Sequence, residues 1–597
     1  MPLPLLAALH ISDRATLFSV GAGFLLTLVC IGLVFRRFSS NSRDYFCAGG
    51  QATWWLVGGS FFMQGFSAWT FTGGAGAAYQ VGWGMTVMFC GGVINNLFLA
   101  LAPARWFRQL RVTTPADVIR LRFGAGMEQF FASLQSCAGV AFSGVQLYSL
   151  AIFTATLLNL DIDLVIVVLG VVVLFYTAMS GSWAVLAADF IKGLILMPVS
   201  ILVAVICLQK LGGLSGMLQH ISDAGLSKAF APVKSAETMA TLTGVTPGYF
   251  VAGFFLAWYL NGVVGVSGMS NCQKFLSVKD GREARRAVLL TAVLALVGAL
   301  LFFIPPMTAR LLIPDEVAAM PLRMPAEGAY AAIVMYLLPA GLVGLVLVAM
   351  CAATMSSLDG GLTGLAGLLT QNIYPALCRR LGRVPLEGRP RLILARVVNF
   401  CCAVTVILCA LVLVRFGSGS VFKLLLDLIA LVMAPVAVPL FWGLFVGRTP
   451  RWAAPGSIVA GIVTSASIAF GPRLLGSSPW YFQEQIFSVI GIGTLFFLGS
   501  RLFFRDDDAE AVARESEFFS RRDRPIDFAA EVGVGNDTAQ LRIVGLFGLV
   551  LGASLLLLLI PASSAGHSGK ILALAAAMAG VGALLFIYSR RASPPKP

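Results

Sequence analysis

Two adjacent serines, Ser356 and Ser357, follow Ala353 by one helical turn in the run GLVGLVLVAMCAATMSSLDGGLTGLAGLLTQNIY. Their chemistry suits a small hard cation. Sodium takes about five oxygen ligands, and hydroxyls together with unwound backbone carbonyls supply them without adding a buried charge. The same serines can instead bond carbonyls four residues back on their own helix, so a cation site needs a second segment.

Two runs offer one. WWLVGGSFFMQGFSAWTFTGGAGAAY carries Gln64, Gly65 and Ser67 near its centre, and YFVAGFFLAWYLNGVVGVSGMS carries Asn261, Gly262, Gly265, Ser267 and Gly268. Hydrocarbon offers the backbone no hydrogen bonds, so polar and glycine clusters at mid-depth predict interrupted helices. Interrupted helices in matching positions of inverted repeats expose carbonyls and helix ends to ions and solutes. The alternative is that small residues only let the helices pack closely.

Ionisable residues inside apolar runs are the next candidates. Asp189 and Lys192 stand at i and i+3 on one helix face. A Lys192 that reaches Asp189 competes with any ion there; the alternative is an interfacial Asp189 with Lys192 extended to water. Lys423 and Asp427, at i and i+4, form either a ligand-facing carboxylate or a closed structural pair. Asp359 either orients the serines or pairs with neighbouring helix ends. Trp69, Phe71, Phe89, Trp258 and Tyr259 either stack on a solute ring or pack the bundle. His10, His220 and His567 lie in outer loops or near the terminus and offer no proton relay.

The elements that position these groups are membrane helices. With 58% hydrophobic and 12% charged residues among 597 and a mean hydropathy of +0.87, the chain cannot clothe a soluble surface, which takes about a quarter charged residues. Fifteen apolar spans are expected, at about 16–35, 54–79, 82–103, 130–158, 164–181, 184–208, 248–270, 287–309, 341–374, 393–414, 421–446, 454–471, 484–500, 543–560 and 571–588. Each is long enough to cross ~30 Å of hydrocarbon. Threaded alternately, they leave 29 basic residues on one side and nine on the other. The positive-inside rule makes the richer side cytoplasmic, with the N-terminus outside and the C-terminus inside. The net charge of +14 is thus a topology signal and not a nucleic-acid footprint. The first span ends in Arg36 and Arg37 without an A-x-A site, so it reads as a retained helix rather than a signal peptide. The 11 cysteines show no disulfide or zinc spacing. Residues 506–540 read as a charged, solvated linker. The two interrupted spans are five apart and cross in opposite directions, as two inverted five-helix repeats require.

Further landmarks are DYFCAGG (44–50), YTAMSGSWAVLAADFIKG (176–193), QKFLSVKDGREARRA (273–287), AYAAIVMYLLPAGLVGL (329–345), AATMSSLDGG followed by TQNIY, and APVAVPLFWGLFVGR (434–448). In order and spacing they resemble the sodium:solute symporter family over about Asp44 to Arg451. The resemblance implies an all-α LeuT-like core of ten helices at 44–451, with repeats at about 54–208 and 248–446. One helix precedes it (1–43); two helices (452–505), the linker and a helical hairpin with a basic tail (541–597) follow. It further implies a sodium site with hydroxyl ligands at Ser356 and Ser357 and carbonyl ligands at Ala353, Met63 and Phe66. In the sugar carriers of the family, positions matching Phe89 and Ala295 are Glu and Lys, and the one matching Asp427 is Gln. Val264 stands where an aromatic closes beneath the sugar, and only Asn261 keeps a polar contact. A hexose would strand its polar atoms here, so the sugar is not carried over. Asp189 matches an acidic position near the sodium exit path, where Lys192 replaces a usual Gln.

The expectation is therefore a cell-membrane symporter, not an enzyme. It couples sodium to a small polar organic solute bound beside Gln64, Ser67, Thr70, Phe89, Asn261 and Asp427, with Asp189, Lys192 and Asp359 on the ion path. A proton-driven carrier is the nearest alternative. A transporter-like sensor would append a histidine-kinase module, whereas this sequence ends in a short basic tail.

Overall fold

The computed structural model describes residues 47–591 apart from 159, 180–181, 242–247, 417–419, 477–479, 506–508, 534 and 560–567, together with Gly23 and Val34. Apart from those two positions, the expected span at 16–35 lies outside the described residues. The helices that matter below are α1 (Trp54–Gln64), α2 (Ala68–Phe71), α3 (Gly73–Val81), α4 (Trp83–Leu101), α5 (Pro115–Phe123), α6 (Ala125–Leu158), α7 (Ser182–Lys210), α8 (Ala252–Val266), α9 (Gly281–Leu301), α10 (Ala340–Gly367), α11 (Val421–Leu428), α12 (Ala509–Asp523), α13 (Asp537–Leu555) and α14 (Ser568–Arg591). Among the described residues, eleven helices are long and apolar enough to cross a membrane, and Ile162–Val173 and Ala252–Val266 are shorter apolar helices. The span at 54–79 is divided into three, α1, α2 and α3.

The divided span lies at the centre, α1 packing against α7, α9 and α10. Glycine makes the approach possible: a Cβ on Gly58 would lie 2.6 Å from the Ala287 carbonyl oxygen, and one on Gly59 2.7 Å from the Phe190 ring. Thr291 Oγ1 donates to the Gly58 carbonyl across the α1–α9 contact at 2.9 Å. At the start of α1, Glu283 accepts the Trp54 N–H at 3.0 Å. Gln540, at the head of α13, accepts both the N–H and the hydroxyl of Thr53, at 3.2 and 3.1 Å.

The second expected interruption falls at the last two residues of its cluster, Ser267 and Gly268. α8 runs unbroken through Asn261, Gly262 and Gly265. It ends at Ser267, after which Gly268 is extended (φ −72°, ψ 156°) and the chain continues in short 3-10 turns, Met269–Asn271 and Gln273–Ser277. Gly262 serves packing: a Cβ there would stand 2.0 Å from Asn95 Nδ2 on α4. A parallel bridge between Ala52 and Val278 ties the start of α1 to the end of this second irregular segment.

The charged segment after residue 505 is not solvated throughout. α12 turns Ala511 and Phe518 inward, and Glu515 pairs with Arg122 of α5 at 3.2 Å and accepts the Arg448 N–H. Glu531 pairs with Arg111 at 2.7 Å. The segment therefore docks on the face of the bundle where Arg111, Arg122 and Arg448 gather, here called the basic face. α13 and α14 form a tight hairpin: a Cβ on Gly552 would lie 2.6 Å from Ala579 N. Such close backbones are how small residues associate helices in lipid.

Candidate functional site

The break at Gly65–Ser67 leaves backbone groups without helical partners, as every helix end does. Gly65 and Phe66 turn their N–H groups back to the carbonyls of Phe62 and Met63, at 3.0 and 3.2 Å. Ser67 is extended (φ −148°, ψ 176°). α10 satisfies what remains. Thr354 Oγ1 accepts the Ala68 N–H at 2.7 Å, and Ser357 Oγ donates to the Phe66 carbonyl at 2.6 Å and to the Gln64 carbonyl at 3.2 Å. Thr354 was not singled out from the sequence, although its hydroxyl lies one turn before Ser357 and was legible as part of the same polar stripe.

The expected cation ligands are thus divided. Ser357 and Phe66 meet directly. Met63, just before the break, and Ala353, on α10, are fully buried. Ser356 donates to the Ala352 carbonyl of its own helix at 3.1 Å, the self-bonding alternative. Gln64 is half-buried, Gly65 is exposed, and Ser67 and Thr70 are buried. A Cβ on Gly360 would lie 3.5 Å from Gln64 Nε2, so the Gln64 side chain passes over α10. Asn261 is half-buried within the unbroken part of α8, and Asp427 is exposed on α11.

One turn away lie the buried charges. Lys192 Nζ donates to Asp359 Oδ2 at 2.9 Å and stands 3.8 Å from Asp189 Oδ1. Asp189 Oδ2 accepts from Lys274 Nζ at 3.1 Å and from Ser60 Oγ at 2.5 Å. Two alternatives left open by the sequence are decided here. Lys192 does not extend to water: its side chain, like those of Asp189 and Asp359, is 0% exposed. Asp359 accepts from Lys192, and neither serine donates to it. Lys274 was missed because, within QKFLSVKDGREARRA, it read as one more loop charge. The 3-10 turn after the second break folds it inward.

Beyond the break, aromatic rings pack around α2 and the start of α11. Trp69 stacks on Phe422 and on Phe89, at centroid distances of 5.7 and 6.1 Å and interplanar angles of 15° and 11°. Phe89 also meets Phe66 and Phe303. Trp69 Nε1 donates to the Val421 carbonyl at 3.3 Å, while Glu327 accepts the Val421 N–H at 2.7 Å. Burial pushes the Glu327 carboxyl up to about 7, against the pull of that N–H. From α2 to Tyr79 the divided span is buried, whereas Gly65 on the other side of the break is exposed.

A sequence profile of the sodium:solute symporter family matches residues 45–463. The mouse (Mus musculus) sodium/myo-inositol cotransporter 2 is 26% identical over 468 residues, 74% of this chain and 68% of that protein. The sodium/sialic acid symporter SiaT of Proteus mirabilis is 23% identical over 484 residues, 80% of this chain and 94% of that protein. Rat (Rattus norvegicus) sodium/glucose cotransporter 2 is 27% identical over 487 residues, covering 76% and 71%. Among solved structures, a substrate-bound, outward-open sodium-coupled sialic acid symporter superposes with a TM-score of 0.69 at 20% identity, over 83% of this chain and 98% of that one. The architecture is LeuT-like. With a divided helix bridged by hydroxyls, a multi-pass bundle and a profile that spans most of its length, the chain belongs to the sodium:solute symporter family and is a sodium-coupled symporter of a small solute.

Proposed function

We propose that sodium binds at the break between α1 and α2, held by the carbonyl oxygens of Met63, Phe66 and Ala353 and the hydroxyls of Ser356 and Ser357. The observation that carries this reading is the 2.6 Å bond from Ser357 Oγ to the Phe66 carbonyl. Two hard oxygens from separate helices already converge there, and a hydroxyl rotates freely to turn lone pairs toward an ion. All five donors are neutral, so the ion supplies the only charge and is held without a counter-charge that would resist its release. Sodium at this point links α10 to the divided helix and biases which side of the bundle opens. The solute, a small polar organic molecule, binds beside Gln64, Ser67, Thr70, Asn261 and Asp427, with Phe89 and Trp69 closing over it.

The basic face is read as the cytoplasmic one, with the N-terminus outside and the C-terminus inside, because threading the apolar spans alternately puts 29 basic residues of the sequence on that side against nine on the other. With the basic face cytoplasmic, the buried aromatic stack around Trp69 lies outward of the break, while Gly65 before it is exposed. This is the arrangement of a carrier that releases its load inward. The bilayer is the chain's obligate partner.

The test is a titration of thermal stability with sodium chloride against choline chloride, for the wild type and Ser357→Ala. Loss of the hydroxyl is expected to weaken the apparent sodium affinity about tenfold, the equivalent of about 1.4 kcal/mol. Equal sodium responses in both proteins overturn the assignment.

A further inference from the structure

Asp189, Lys192, Lys274 and Asp359 come from three separate segments, and Ser60 from a fourth, yet they form one network. Two carboxylates face two ammonium groups, so the cluster carries no net charge. Asp189, Lys192 and Asp359 are 0% exposed, and Lys274 is nearly so. The network adjoins the proposed sodium site on three sides. Ser60 lies one turn before Gln64 on α1, Asp359 lies two residues beyond Ser357 on α10, and a Cβ on Gly193, next to Lys192, would touch the Met63 side chain at 3.2 Å.

Charges buried this completely persist only when paired. Here the balance is complete without a mobile ion, and an added cation would leave one positive charge uncompensated. The groups around Lys192 Nζ are nevertheless those a hard cation would use. Asp189 Oδ1 and Asp359 Oδ1 are both buried without a hydrogen-bond partner among the described residues, and the ammonium stands between the two carboxylates.

We propose that Lys192 is a tethered cation occupying a position between Asp189 and Asp359 that would otherwise take a second sodium ion, and that it sets the carrier to one sodium per cycle. The inference rests on the sodium site at the break. It makes Lys192 a determinant of stoichiometry rather than a point on the ion path. Structural cement alone does not require the lysine's charge to be exchangeable for that of an ion.

The experiment is equilibrium binding of radioactive sodium to the purified full-length protein, read as ions bound per chain at saturation. The wild type is expected to bind about one ion and Lys192→Gln about two, because the variant's carboxylates carry a net charge of −1 that a cation relieves. Lys192→Gln combined with Asp359→Asn restores neutrality and returns the count to about one. A wild type that binds two ions overturns the proposal, as does a folded Lys192→Gln that binds one. If Lys192→Gln is unfolded in choline chloride, recovery of a cooperative melting transition in sodium chloride is the same rescue by a second ion. Failure to recover in either salt counts against it. An error in the break site reads out separately, as a Ser357→Ala protein that binds sodium like the wild type while the effect of Lys192→Gln stands.

Discussion

Two polar sites lie within a turn of each other and solve burial in opposite ways. At the break, Phe66, Gln64 and Ser357 bring only neutral oxygens together. In the network beside it, Asp189, Lys192, Lys274 and Asp359 bring four full charges. A neutral cluster tolerates the arrival and departure of an ion, since either state leaves no unpaired side-chain charge. A balanced charge cluster tolerates neither addition nor subtraction. The difference teaches that polarity at mid-membrane does not by itself mark a transport site. What matters is whether the groups are complete without the cargo.

The comparison is broken most forcefully from the charged side. Asp189→Ala leaves two ammonium groups facing one carboxylate and is expected to cost about 3–5 kcal/mol, read as a large fall in melting temperature that sodium does not restore. A small effect would mean that the network is hydrated. On the neutral side, Thr354→Val keeps the shape but strands the Ala68 N–H. A loss of about 1–3 kcal/mol is expected, with sodium affinity within twofold of wild type. A tenfold drop in affinity would place Thr354 among the ligands. The smallest effect concerns the aromatic closure. Glu327 is raised from 4.5 to about 7, so the folded state holds its proton more tightly than the unfolded chain does. Its contribution is intact below about 4.5 and is lost as pH climbs through about 7. Glu327→Gln should therefore match the wild type in acid and become the more stable of the two above neutrality. A difference in melting temperature that stays flat with pH would show that the carboxyl is not buried.

The first break was legible because Gln64, Gly65 and Ser67 interrupt an apolar run at the depth where a continuous helix needs no polar residue. The second was legible at Ser267 and Gly268, whereas the glycines before them belong to the helix. Gly262 and Gly265 carry the same signal as a break, but Gly262 answers to Asn95 across a helix contact, which no local pattern records. The serines were legible as a pair and undecided as ligands, and the fold separated them: Ser357 turned outward to the break while Ser356 bonded its own helix. Lys274 and the docking of α12 escaped for a common reason. Charged residues in polar stretches look solvated until tertiary packing brings a counter-charge, here Asp189 for the lysine and Arg122 for Glu515.

The grip of Gln540 on Thr53 has a consequence for biosynthesis. The two residues are 487 positions apart, and at about 5–20 residues per second the partner follows by roughly 25–100 s. For that interval the leading edge of the divided helix has Glu283 and the Ala52–Val278 bridge, once made, to steady it, but its Thr53 groups must turn to water or headgroups. A chain released before Gln540 keeps that edge permanently unfinished, so assembly closes at its beginning only when the ribosome is nearly done.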